Sequence, residues 1–182
     1  MIIEKNKDIW SYYENNKNVL VIPTNRGWKS KEPFANVMGR GIALQCKEND
    51  IDIAERLGKN NRDFYIKNRS INIPIVLFNK ERLLAFNTKA LNPINPYMSW
   101  KHSSDLQTLT ESFIQFDKLQ EYYQEQYTFV FPQIGCGNGG LMWADVKDMV
   151  YQYLNMYTNI IVLENENDFS YSRYRQKSWD RL

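Results

Sequence analysis

The sequence predicts an α/β domain with a central, mostly parallel or mixed sheet. Short continuous apolar runs such as Val19-Leu20-Val21-Ile22 and Ile160-Ile161-Val162-Leu163 have the length and composition of strands buried on both faces. Between such runs lie longer stretches whose apolar residues recur at helical spacing, most clearly Leu106, Leu109, Phe113, Phe116 and Tyr123. Glycine-rich or polar loops follow the strands, and alternation of the two patterns requires helices layered on a sheet.

In chain order, Asp8 to Asn15 reads as a short helix with Ile9, Tyr12 and Tyr13 on one side. Val19 to Ile22 is a strand ending at Pro23, and the polar, turn-rich stretch from Thr24 to Asn36 is a loop. Gly39-Arg40-Gly41-Ile42-Ala43-Leu44 opens a helix that runs to about Glu48. Ile75 to Phe78 and Arg82 to Phe86 are two strands joined by the turn Asn79-Lys80-Glu81. A long helix covers about Ser104 to Gln124, with Ser104 as its N-cap. Thr128 to Phe131 is a strand stopped by Pro132, and Gly135 to Gly140 is a glycine-rich loop. Val146, Met149, Val150, Tyr153, Leu154 and Tyr157 mark an amphipathic helix with Ala144 and Asp145 near its start. Asn159 to Glu164 is the last strand, and the polar, basic-aromatic residues 165–182 form a tail or a strap.

The chain has 182 residues, 43% hydrophobic and 24% charged, which suits one soluble domain without internal repeats. A net charge of +2 argues against general nucleic-acid binding by counterion release. His102 is the single histidine, and Cys46 and Cys136 are the two cysteines, so a structural zinc site or a two-histidine metal centre is excluded. Chemistry must therefore come from carboxylates, lysine, asparagine, backbone amides or water. Unrelated cysteine spacing, a charged N-terminus without an apolar core and the lack of a membrane-length run predict reduced thiols and a cytoplasmic protein.

Ligands of such sheets bind beyond the carboxyl ends of the strands, which directs attention to the loops after Ile22, Phe86 and Phe131. Gly135-Cys136-Gly137-Asn138-Gly139-Gly140 places four glycines in six residues between a strand and a helix. Positive φ angles there would let backbone amides converge on an anion, a phosphate or ribose site; a packed tight turn is the alternative. Met38-Gly39-Arg40-Gly41-Ile42-Ala43 is a second small-residue helix start, in which Arg40 either pairs with a phosphate or is solvated. Lys89, just past a buried strand, is either a nucleophile or base of lowered pKa or a surface partner for phosphate. Trp100 and Lys101 lie in an aromatic and basic loop, where Trp100 either stacks on the ligand or anchors its own loop.

These segments resemble the macrodomains, the ADP-ribose-binding α/β/α modules. The matching pieces are Asp8-Ile9, Pro23-Thr24-Asn25, Val37 to Ala43, and Ile134 to Leu141, in family order over roughly residues 5–164. Within the family the chain is most similar to the branch with terminal ADP-ribose protein hydrolase, the antitoxins that strip ADP-ribose from DNA, and short phage-type members; the Gly-Cys-Gly loop followed by Leu141-Met142-Trp143 is typical of it. The resemblance implies a three-layer macrodomain over residues 1–164, acting as a monomer without cofactor, metal or membrane. Asp8 would accept from the adenine amino group, and Ile9 would lie against the base. Thr24 and Asn25 would meet the distal ribose. Met38, Gly39, Arg40, Gly41 and Ile42 would line one side of the diphosphate, and Gly135, Cys136, Gly137, Asn138, Gly139, Gly140 and Leu141 the other. Lys89 matches the lysine that acts near the anomeric carbon, whereas Gly139 stands where the protein-directed hydrolase has Asp. The expected function is ADP-ribose binding with hydrolysis at the distal ribose, on ADP-ribose-1″-phosphate or on ADP-ribosylated nucleic acid or protein. A non-catalytic nucleotide sensor or sponge, and more remotely a Cys136–His102 hydrolase, are the alternatives.

Overall fold

A computed structural model describes residues 1–50 and 52–165. Its strands are β1 (Ile2–Lys5), β2 (Asn18–Asn25), β3 (Val76–Phe78), β4 (Leu83–Lys89), β5 (Thr128–Phe131) and β6 (Ile160–Glu164). Its α-helices are α1 (Gly41–Asn49), α2 (Ile53–Asn68), α3 (Leu106–Tyr123) and α4 (Trp143–Leu154). The strands form one mixed sheet in the order β1-β6-β5-β2-β4-β3, parallel except for the antiparallel β3–β4 pair.

Alternation along the strands splits the core into two layers. Val19, Val21, Phe86, Phe129 and Phe131 face α3 and α4, where they meet Leu109, Phe113, Phe116, Val146 and Val150. Leu20, Ile22, Ala85 and Val130 face α1 and α2, meeting Cys46, Ala54 and Leu57. The first layer is aromatic, with Phe86–Phe113 and Phe116–Phe131 ring centroids 5.0 and 5.1 Å apart. β2 lies between β4 and β5, so its residues from Val19 to Ile22 are almost fully buried on both sides.

Several boundaries differ from the sequence reading. β2 continues through Pro23 to Asn25, because Thr24 and Asn25 still pair with β4. Asp105 rather than Ser104 caps α3, its carboxylate accepting from the Thr108 amide at 2.7 Å. Residues 9–12 form a 3-10 turn capped by Asp8 rather than a longer helix. Tyr157 lies beyond the end of α4. β1 and α2 correspond to no element expected from sequence, although Ile53, Ala54, Leu57 and Asn61 of α2 are buried at helical spacing. The tail or strap expected over residues 165–182 lies, apart from Asn165, outside the described residues. Among the described residues no helix is long and apolar enough to cross a membrane.

The Leu-x-Trp sequence fastens α4 to the sheet. Glu164, at the end of β6, accepts from Trp143 Nε1 and from Lys147 Nζ, each at 2.7 Å. These bonds, Lys147 first, hold the Glu164 carboxyl below its ordinary pKa of 4.5. A depressed carboxylate contributes stability above its unfolded-state pKa and loses it as pH falls through the folded value. Glu164→Gln is therefore expected to lower the urea midpoint at neutral pH, and the two proteins should converge as pH drops well below 4.5. A gap that persists unchanged in acid would contradict this linkage.

Candidate functional site

The carboxyl ends of β2, β4 and β5 open into a cleft of about 1020 Å³. Its walls come from the three loops singled out in the sequence together with residues 97 and 100–104. Thr24, Asn25, Gly39, Arg40, Gly41, Ile42, Lys89, Trp100 and Gly135 through Gly140 all line it. The two glycine segments meet across the cleft: a Cβ built on Gly41 would lie 3.2 Å from Asn138 Nδ2. Asp8, Ile9, Met38 and Leu141 do not line the cleft. Ile9 and Met38 are buried in the layer beneath α1 and α2, Leu141 packs on the opposite layer, and Asp8 caps the 3-10 turn by accepting from the Trp10 amide.

Among the described lining residues, Arg40, Lys89 and Lys101 are cationic and none is acidic. α1 starts at Gly41, and its first-turn residues Gly41, Ile42 and Ala43 face the cleft. A helix start offers unsatisfied amides and a partial positive charge, so cations and backbone together favour an anion here. The glycine loop is an arch closed on itself: the amides of Gly139, Gly140 and Leu141 donate to the carbonyls of Cys136, Gly137 and Gly135 at 3.1, 3.1 and 3.2 Å. These amides serve the turn, and the exposed Gly137 and Asn138 present the loop's outer edge.

Lys89 ends β4. Pairing with β2 slips there, with Thr24 opposite Asn87 and Asn25 opposite Lys89, a bulge that leaves Thr88 as the additional residue. The half-buried ammonium donates to the Trp100 carbonyl at 3.0 Å. Burial first, and then the Arg40 charge, lower its pKa below 10.5. Trp100 Nε1 is buried without a hydrogen-bond partner, so in this arrangement Trp100 serves the site through its carbonyl.

Asn25 is only 4% exposed, and its amide is engaged within the protein. Nδ2 donates to Val37 O at 3.0 Å, and Oδ1 accepts from the Gly27 amide at 2.9 Å. The side chain expected at the distal ribose thus braces the loop leading to Gly39 and Gly41. Thr24 is likewise buried, and Thr88 Oγ1 donates to its carbonyl at 3.2 Å. Sequence reasoning missed Asn36, whose Nδ2 donates to the Asn25 and Gly27 carbonyls at 2.8 and 2.7 Å; its place in a polar loop carried no signal of burial.

Cys136 and His102 both line the cleft. The Cys136 thiol donates to the Ile134 carbonyl at 3.6 Å, a contact within its own loop. Cys46 sits in the core, where burial and Asp50 push its thiol up to about 12. Among the described residues no three His, Cys, Asp or Glu side chains gather as metal ligands.

No family model and no curated protein matches the chain. Solved structures do. The macrodomain of Mycobacterium tuberculosis DarG matches at 20% identity with a TM-score of 0.67, over 90% of this chain and 97% of that one. The macrodomain of Thermus aquaticus DarG matches at 22% identity and 0.64, over 91% and 98%. Thermosipho africanus DarTG, solved in complex with ADP-ribose, matches at 16% identity and 0.66, over 92% of this chain and 42% of that longer one. The chain has the macrodomain fold.

Gly139 is fixed by its neighbour. A Cβ at this position would lie 2.3 Å from Ser104 Oγ and 3.1 Å from Ser104 Cβ, and Ser104 is held by its amide bond to the Gly139 carbonyl at 2.7 Å. A side chain at this position would therefore require the Ser104 hydroxyl to move. Gly139→Ala is expected to cost about 1–3 kcal/mol of stability by overpacking. Ser104→Gly in the same chain should recover part of that loss in urea unfolding, and strict additivity of the two changes would refute the clash.

Proposed function

We propose that the cleft binds ADP-ribose or an ADP-ribose conjugate and that Lys89 acts at the distal ribose. The observation that carries this reading is a cleft whose described lining residues include no acid, bounded by two glycine segments and the start of α1 and lined by the half-buried amine of Lys89. The complex of the Thermosipho africanus protein with ADP-ribose, on the same fold, supports the choice of ligand. The chain then groups with the DarG-like macrodomains.

In this reading the diphosphate lies between the Gly39–Ile42 and Gly137–Gly140 segments, with the α1 amides and Arg40 opposing its charge. Binding energy from that anchor positions the anomeric carbon beside Lys89. The net reaction is hydrolysis: water adds to the anomeric carbon, the bond to the leaving oxygen or nitrogen breaks, and the leaving group takes the proton. Lys89 contributes as the neutral amine, attacking that carbon or accepting the proton from water. Candidate substrates are ADP-ribose-1″-phosphate and ADP-ribosylated nucleic acid or protein. The working site is proposed to be monomeric and cytoplasmic, within a domain spanning residues 1–164.

Calorimetry tests the binding: a measurable heat with ADP-ribose is expected, and no heat at millimolar ligand would overturn the assignment. Turnover tests the amine. Lys89→Ala should abolish product release while retaining the ligand. The wild-type rate should rise with pH to a plateau whose midpoint lies below 10.5, because only the deprotonated amine is competent. A second reading, a sensor that binds without turnover, is favoured by the absence of a side chain at Gly139; it predicts no product that depends on Lys89.

A further inference from the structure

The amine of Lys89 is held by a short segment that the sequence marked only as an aromatic and basic loop. Residues Pro96–Lys101 form a 3-10 turn, and the carbonyl of Trp100 in its last part accepts from Lys89 Nζ at 3.0 Å. This turn is pinned from within by Ser99, which is fully buried. Its hydroxyl donates to the Pro96 carbonyl at 2.8 Å and accepts from the Asn92 amide at 2.9 Å. Asn92 adds a second anchor, its Oδ1 accepting from the amides of Ile94 and Asn95 at 3.1 and 2.9 Å.

The turn also rests on the strand that carries the rest of the site. Gly27, just beyond β2, has no side chain where one would collide: a Cβ there would lie 2.1 Å from Pro96 O and 2.7 Å from Ser99 Cβ and Oγ. Next to it, the Arg26 amide donates to the Lys89 carbonyl at 3.2 Å. The backbone of Lys89 and the carbonyl that holds its amine are therefore both referenced to residues 26 and 27.

We propose that Ser99 and Asn92, seated on Gly27, are positioning residues that hold the Trp100 carbonyl over Lys89 and so fix the amine at the cleft floor. One N–H is tied to a rigid acceptor while the turn shields the amine from water. Loosening the turn would admit water to the amine and would also remove the carbonyl bond. The first change raises the affinity for the proton and the second lowers it; burial leads the causes that depress the Lys89 pKa and the carbonyl bond is not among them, so the expected net change is upward.

The proposal rests on Lys89 being the reacting amine, and the test reads that amine without any nucleotide. Competitive acetylation with isotopic acetic anhydride, quantified for each lysine peptide across a pH series, gives the midpoint of Lys89 in the folded full chain. Wild type should titrate below the exposed lysines. Ser99→Ala should move the Lys89 midpoint up by about one pH unit, equivalent to about a tenfold fall in the neutral fraction at neutral pH, with the other lysines unmoved. Should Ser99→Ala not fold, Asn92→Ala loosens the same turn from its half-exposed end, with the same direction of shift expected. A folded variant whose Lys89 midpoint equals that of wild type overturns the proposal. A shifted midpoint together with unchanged turnover in Lys89→Ala would uphold the positioning and remove only the chemical role.

Discussion

Parallel pairing of β2 with both β4 and β5 is the constraint on which the rest of this molecule depends. Because the three strands run in one direction, their carboxyl ends, and every loop that follows them, emerge on the same edge of the sheet. β2 can occupy the centre only because Val19 to Ile22 are apolar on both faces, so that two helical layers can cover it. Those layers come from sequence-distant parts of the chain, α1 and α2 on one side and α3 and α4 on the other. The cleft is what remains where these layers stop short of the strand ends.

Loops leaving a parallel sheet would be mobile if nothing tied them together, and here buried asparagines do so. Asn36 bonds the carbonyls of Asn25 and Gly27, Asn25 bonds Val37, and the Asn36 amide donates to the Ala54 carbonyl of α2 at 2.7 Å. A buried asparagine offers two donors and an acceptor, and satisfying them converts a polar loop into a braced wall. The next residue after Asn25 extends the bracing to the other layer: Arg26, 3% exposed in its side chain, pairs with Glu111 of α3 at 2.7 Å. These contacts brace the segment that leads to Gly39 and Gly41.

Strands β2 to β6 and the helices α3 and α4 were legible because burial imposes periodicity: the Phe113, Phe116 and Leu109 pattern of α3 and the apolar run of β2 could form little else. The glycine loops were legible as well, since their composition restricts what they can do. The polar partners were not. Asn25 and Thr24 lie beyond a proline that reads as a strand end, yet Pro23 is accommodated within the pairing, and no local signal says that an asparagine after it will be buried. α2 was hidden by its polar face, where Lys59, Asn60 and Arg62 interrupt an apolar stripe that runs from Ile53, Ala54 and Leu57 to Phe64 and Tyr65. The bulge that sets Lys89, and the collision that keeps Gly139 bare, arise between residues far apart in sequence, so spacing alone could not disclose them.

Among the described residues no carboxylate lines the cleft, and in the proposed function this links recognition to chemistry. An acidic neighbour would repel a diphosphate, and it would also stabilise the ammonium form of Lys89 and suppress a neutral amine. Arg40 does the opposite on both counts, attracting the anion and lowering the Lys89 pKa. A bound diphosphate would itself raise that pKa, and this defines what the α1 start must accomplish. In the proposed complex, backbone amides and Arg40 would meet the phosphate charge and so limit how much of it the amine feels. Small net charge over the whole chain is compatible with this proposal, which relies on local arrangement: three cations, a helix start and, among the described lining residues, no carboxylate. The scarcity of histidine and cysteine then poses no obstacle to the proposed chemistry, since burial lowers the Lys89 pKa and so favours the neutral amine that the proposal requires.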